Sequence, residues 1–178
     1  MHLIIRPTAE ADVAAAEQCL IDGKTALATL GVPQWQGDYP NRVDIEEDMS
    51  RGASFVAVNG AGAVLAVMAL SFDGEETYDE IDGAWLTDSA SSAPRYAVIH
   101  RCAVSAQASR RGVMSQMFLE GERLARAHGC ESMRIDTHAR NVGLQGLAEK
   151  LGYTRCGTIT LPHQGESDPL RIAFEKLL

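Results

Sequence analysis

Ile99-His100-Arg101-Cys102-Ala103-Val104 is followed closely by Ser109-Arg110-Arg111-Gly112-Val113-Met114-Ser115, and the reading of this stretch decides the fold. The apolar–polar alternation predicts a strand over residues 95–104, with Tyr96, Val98, His100, Cys102 and Val104 on one face. A short basic turn then opens a helix, from Arg110 or Gly112 to His128. In it Met114, Met117, Phe118, Gly121, Leu124, Ala125 and His128 recur at helical spacing and are expected to face the sheet. Gly129 supplies the stop. The first turn of a helix presents unpaired N–H groups and the positive end of its dipole. Two arginines and a glycine placed there mark a site for a phosphate-bearing ligand. The plainer reading, in which Arg110-Arg111-Gly112 only cap the helix, stays open.

Outward from this stretch, residues 3–6 read as a first strand. Thr8 is the expected N-cap of an alanine-rich helix that runs to about Leu30, where Gly31-Val32-Pro33 stops it. An aromatic loop, Gln34-Trp35-Gln36-Gly37-Asp38-Tyr39-Pro40, leads to a short helix over 43–51. Strands at 54–58 and 64–70 are joined by Asn59-Gly60-Ala61-Gly62, a hairpin turn. These glycines are no dinucleotide fingerprint, because a strand follows them rather than a helix. Residues 73–94 form a polar excursion containing Tyr78 and Trp85. A strand over 132–137, a helix over 141–150 ending at Gly152, and a strand pair at 153–160 and 169–174 complete the chain. Strand–helix alternation in the second half, with hairpins elsewhere, predicts a single α/β domain with a mixed sheet over residues 1–178.

Composition narrows the function. With 178 residues, 46% of them hydrophobic, the chain can build a sizeable core. A net charge of −8 argues against a nucleic-acid binder. Acidic residues crowd between Asp38 and Asp88, which fits either a cationic partner or a solvated surface. Cysteines 19, 102, 130 and 156 form no C-x-x-C pair, so reduced thiols in a cytoplasmic protein are expected, with Cys102 and Cys130 as packing residues. No apolar run is long enough to cross a bilayer. His128 closes a helix, His138 follows a strand and His163 sits in a polar hairpin; none has the spacing of a metal site. Neither a G-x-S-x-G elbow nor a Walker sequence occurs.

Three local motifs, in order, resemble the GNAT superfamily of acyl-CoA-dependent N-acetyltransferases over nearly the whole chain. Ile99-His100-Arg101-Cys102-Ala103-Val104 is similar to the family's central strand. Ser109-Arg110-Arg111-Gly112-Val113-Met114 is similar to its pyrophosphate loop. Asn141 with Leu147-Ala148-Glu149-Lys150-Leu151-Gly152-Tyr153 is similar to its asparagine-led helix ending in Lys-x-Gly-Phe/Tyr.

The resemblance implies a mostly antiparallel central sheet flanked by helices, and acetyl-CoA as co-substrate. It implies that the backbone of Cys102, Ala103 and Val104 pairs with the pantetheine arm as an added strand. The Val104 N–H would then stabilise the thioester oxyanion. Ser109, Arg110, Arg111, Gly112, Val113, Met114 and Ser115 become the pyrophosphate cradle, with both arginines available to neutralise phosphate, including a 3′-phosphate. Asn141 is assigned to the pantetheine amides or the attacking region. His100 stands where related enzymes commonly carry a glutamate, so it is either the general base or a buried, satisfied histidine. Trp35, Gln36 and Tyr39 lie where relatives recognise acceptors, and core packing explains the aromatic pair as well.

Three positions depart from the family pattern: Ser109 replaces an arginine, Met114 a glycine, and Ala148 the tyrosine that in many members protonates the thiolate. Water, Tyr153 or Tyr39 is left to supply that proton. The implied reaction is acetyl transfer from acetyl-CoA to a primary amine, on a small molecule or a peptide N-terminus, by direct attack through a tetrahedral intermediate. An acyl-CoA-binding sensor with little catalysis is the alternative, and a homodimer is compatible with either.

Overall fold

Residues 3–162 and 168–178 are described by a computed structural model. His163 lies outside them. The strands are β1 (Leu3–Pro7), β2 (Ser54–Asn59), β3 (Val64–Ser71), β4 (Asp82–Gly83), β5 (Tyr96–Val104), β6 (Ser132–Thr137), β7 (Thr154–Thr160) and β8 (Leu170–Leu177). The helices are α1 (Val13–Thr29), α2 (Arg42–Ser50), α3 (Val113–His128) and α4 (Val142–Lys150). All eight strands form one sheet in the order β1-β2-β3-β5-β6-β8-β7-β4. Every neighbouring pair is antiparallel except β5 and β6. The expected α/β class, helix positions and hairpins are all present.

Each face of the sheet is covered differently. On one, α1 and α2 bury Ala16, Leu20 and Ile45 against Val56, Val67 and Ala103. On the other, α3 lays Met117, Phe118 and Ala125 over Met68, Ile99 and Met133. Helix α1 packs tightly on β5 at Gly23, where an added Cβ would sit 3.1 Å from the Ala103 Cβ. Gly129 ends α3 at φ +91°, as its sequence position predicts.

Two local expectations are overturned. Thr8 caps no helix. Its hydroxyl instead bonds the Ser54 hydroxyl at 2.7 Å, tying the end of β1 to β2. The turn before α1 is closed by Asp12, whose carboxylate accepts from the Ala9 N–H at 2.8 Å and pairs with Arg6. The second correction concerns β5. Tyr96 and Val98 share a face, but Cys102 and Val104 do not join them. They pack on the α3 side with Ala97 and Ile99, while Ala103 packs under α1. The cause is one extra residue: β3 pairs Val67 with Ala103 and Ala69 with His100, so Met68 alone faces both Arg101 and Cys102. An inserted residue reverses the alternation beyond it.

The polar excursion between β3 and β5 is fastened rather than loose. Arg134 and Glu175, both 0% exposed, pair across β6 and β8 at 3.0 Å. The Arg134 guanidinium lies between Trp85 and Tyr96, 4.3 and 3.9 Å from their ring centroids. It also donates to the Thr87 and Ser89 carbonyl oxygens. Glu175 accepts from the Leu86 and Thr87 N–H groups and from Ser132. Burial pushes the Glu175 carboxyl up, yet the bonds from Ser132, Thr87 and Arg134 outweigh it and hold the group below its usual range.

Removing one partner leaves a desolvated charge behind. Arg134→Ala is therefore expected to lower unfolding free energy by about 3–5 kcal/mol. Denaturant titration checks this, and a loss below about 1 kcal/mol would mean that the pair is not what fastens the excursion.

Candidate active site

β5 and β6 pair only at Tyr96–Ser132, Ala97–Met133 and Val98–Arg134. Beyond these the two strands part, and a cleft of about 1330 Å³ opens along the freed edge of β5. Ser105 N–H donates to Leu65 O on β3 at 2.8 Å, and Ala103 pairs with Val67. Since N–H directions alternate along a strand, those of Cys102 and Val104 point the other way, into the cleft. A sheet edge with free donors accepts an extended ligand as an added strand.

At one end of this edge, Ser109, Arg110 and Met114 line the cleft. Arg110 and Gly112 both take positive φ, +60° and +75°, and this turns the chain into α3. No side chain caps that helix. Among the described residues, the N–H groups of Gly112, Val113, Met114 and Ser115 have no acceptor, while the next, from Gln116, bonds Gly112 O. Neither Arg110 nor Arg111 is ion-paired to a described residue, and both are exposed. The Val113 side chain is buried in the core, so only its backbone is available. Free donors, two spare cations and a helix dipole are what an anionic diphosphate requires.

At the other end lies His100. Its Nε2 is 3.4 Å from Glu75 Oε2, with the two side chains 21% and 29% exposed. Glu75 comes from the excursion. Its own N–H donates to the Tyr96 hydroxyl at 3.1 Å, and its carboxylate accepts from Thr77. The hydrogen bond with His100, ahead of those from Thr77, pulls the Glu75 carboxyl down to about 2 despite burial. Asp136, on β6, also lines the cleft and accepts from the Tyr78 hydroxyl at 2.8 Å. Burial raises its pKa, and the nearby His100 and Arg171 charges offset only part of that.

Trp35 and Tyr39 form part of the cleft wall. Gln36 does not; its amide turns back to the Lys24 and Gln34 carbonyl oxygens. Gln34 takes the position instead, 9% exposed, accepting from the Thr137 hydroxyl and the His138 N–H. Asn141 caps α4 by accepting from the Leu144 N–H at 3.2 Å, and it donates to Thr137 Oγ1 at 3.0 Å, so its side chain braces the mouth of the gap. Of the tyrosines named for proton delivery, Tyr153 is buried behind Phe118 and does not line the cleft, and Tyr39 borders it. Ala148, on α4, is fully buried. His138 is structural, with Nε2 3.0 Å from Asp168 and Nδ1 accepting from the Arg140 N–H. His128 is exposed and stacks on Phe72.

The acetyltransferase model of the GNAT family matches residues 25–153, which hold the gap, the basic turn and the start of α4. The chain belongs to the GNAT acetyltransferase family. A GNAT-family acetyltransferase from Streptococcus agalactiae is 33% identical, superimposes with a TM-score of 0.84, and aligns over 99% of this chain and 95% of its own. One from Listeria monocytogenes is 20% identical at TM-score 0.72, over 99% and 95%. A ribosomal-protein-alanine N-acetyltransferase from Brucella melitensis is 18% identical at TM-score 0.66, over 98% and 99%, and like the Listeria protein shares the fold. No curated protein matches in sequence. The family uses acetyl-CoA and acts on amines, so this GNAT enzyme is an N-acetyltransferase.

Glu75, Asp136 and Gln34 carried no sequence signal of their own. Glu75 is one carboxylate in an acidic run, and its contacts with His100, Tyr96 and Thr77 in the fold single it out. Because its carboxyl sits at about 2 rather than 4.5, Glu75 contributes stability that is full above pH 4.5 and lost as pH falls toward 2. Glu75→Gln removes that contribution. The wild type should exceed the variant by about 1–2 kcal/mol at pH 5, after allowance for partial exposure, with the gap closing near pH 2. Urea unfolding of both proteins at the two pH values measures it; a gap that does not change with pH contradicts the pairing.

Proposed function

We propose that this enzyme transfers the acetyl group of acetyl-CoA directly to a primary amine, on a small molecule or a peptide N-terminus. One observation carries the reading: the free edge of β5 leads from unpaired N–H groups at the start of α3 to the His100–Glu75 pair. The diphosphate is assigned to the N–H groups of 112–115 with Arg110 and Arg111, and the pantetheine arm to the edge at Cys102, Ala103 and Val104. Ser109 and Met114 border that channel without closing it.

The chemistry then follows from what lines the inner end. His100, its ring held by the Glu75 carboxylate, takes a proton from the acceptor ammonium, directly or through water. The amine nitrogen attacks the thioester carbonyl carbon, forming the C–N bond. The charge that develops on oxygen faces the Val104 or Cys102 N–H. Collapse breaks the C–S bond, and the proton remaining on the attacking nitrogen passes to the departing sulfur, directly or through water or Tyr39. A thiol is an acceptable leaving group near neutral pH, so the missing tyrosine at Ala148 is no barrier. Tyr39, which borders the cleft and whose hydroxyl accepts from Arg101 at 3.1 Å, is our candidate for that relay, with water as the alternative. Trp35 and Tyr39 on one side and the Glu75 segment on the other form the acceptor walls.

Thiol release from acetyl-CoA across an amine panel tests the activity, and calorimetry tests binding. Binding with no turnover on any amine would favour the sensor alternative. His100→Ala should lower kcat by about 10²- to 10³-fold, and wild-type turnover would remove His100 from the mechanism. Ser115→Glu separates ligand binding from helix capping. A carboxylate in the first turn of α3 favours the free protein by about 0.3–1 kcal/mol, yet repels a diphosphate. The expected result is a raised melting temperature together with acetyl-CoA affinity weakened about tenfold or more. Unchanged affinity would dissociate the turn from phosphate binding.

A further inference from the structure

Arg101 has a backbone φ of +45°, a region that favours glycine. No turn requires it. The residue lies inside β5, where the ladder to β3 gains its extra residue between the Ala103–Val67 and His100–Ala69 pairs. A residue with a side chain leaves that region unless its surroundings hold it there. The surroundings do so through the guanidinium. Arg101 Nε and Nη2 donate to the two Asp48 carboxylate oxygens at 2.8 and 2.5 Å, and Nη1 donates to the Tyr39 hydroxyl at 3.1 Å. The Asp48 side chain is 8% exposed and sits on α2, whose first turn is fixed by the Asn41 cap and the Asp44 carboxylate. Two parallel bonds to one carboxylate set direction as well as distance.

On either side of Arg101 are the two groups the proposed chemistry needs. His100 precedes it and meets Glu75; Cys102 follows it and turns its N–H into the cleft. If residue 101 relaxed to ordinary extended backbone, the extra residue could not stay where it is. The ladder beyond it would slip by one, and Cys102 and Val104 would exchange faces with Ala103. We infer that Arg101 is a positioning residue: its fork on Asp48 pins the extra residue of β5, and the pinned backbone aims the Cys102 N–H and the His100 ring at one point. The kinetic part of this inference rests on the acetyl-CoA reading above; the backbone part does not.

Two variants separate backbone pinning from loss of charge. Arg101→Gly and Arg101→Ala both delete the guanidinium and leave Asp48 and Tyr39 equally unpartnered. Only glycine adopts the positive φ without help. Arg101→Ala is expected to lose about tenfold more kcat/KM for acetyl-CoA than Arg101→Gly. Equal losses would mean that the charge matters and the backbone does not, and no loss in either would remove Arg101 from any role; both overturn the inference. In ¹⁵N-labelled protein without ligand, the Cys102 and Ala103 amide signals should stay near their wild-type positions in Arg101→Gly and move in Arg101→Ala. Signals that move alike in both also overturn it. This comparison needs no acetyl-CoA, so it stands even if the wild type proves not to bind the thioester. Should Arg101→Ala fail to fold, Asp48→Asn replaces it: the signals should move in that variant and return when Arg101→Gly is added, and failure to return counts against pinning.

Discussion

Parting of two neighbouring strands is the constraint on which this molecule depends. A strand in the middle of a sheet ordinarily satisfies its backbone on both sides, and leaving one side open creates a row of unmet donors and acceptors. β5 does this deliberately over its second half. The opening is held from two directions. Arg101 inserts an extra residue against β3 and ties it to α2, while the far end of β6 is drawn away through Thr137, Gln34 and Asn141. Neither brace lies in the strand pair itself. If the pantetheine arm pairs with this edge as proposed, its recognition rests on side chains that need not touch it.

The His100 end of the cleft is assembled from distant parts of the chain. Glu75 and His100 belong to separate segments, and the excursion carrying Glu75 has little regular structure of its own. Its order comes from a buried charge. Arg134 is wrapped by Trp85 and Tyr96, and Tyr96 in turn holds the Glu75 backbone. Trp85 donates to the Tyr78 carbonyl oxygen, and Tyr78 reaches Asp136. An unpaired arginine in this place would be costly; here it is the fixed point from which a polar loop acquires a definite position.

Much of this architecture was legible from the residues. Period-two runs, the Asn59–Gly62 turn, Gly129 and Gly152 located the strands and helix ends, and the motif around Arg110 located the turn into α3. What was illegible is instructive. The alternation through β5 reads as unbroken because nothing in Ile99-His100-Arg101-Cys102 marks an inserted residue; the insertion is stabilised by Asp48, far away in sequence. Gln36 and Gln34 are indistinguishable as letters in a loop, and they part only in the fold, where the chain turns at Trp35 with φ +66° and Gln34 meets Thr137 and His138. Glu75 is invisible for the same reason: its partner is chosen by tertiary packing, and local pattern carries no information about it.

Cys102 borders the cleft beside the predicted thioester position, and burial pushes its thiol up to about 12. A sulfur that keeps its proton throughout the physiological range is a poor nucleophile. Burial thus disfavours Cys102 as a relay that accepts the acyl group and hands it on. The direct transfer proposed above has no covalent stop on the protein, so donor and acceptor would occupy the cleft together, each entering while the other is in place.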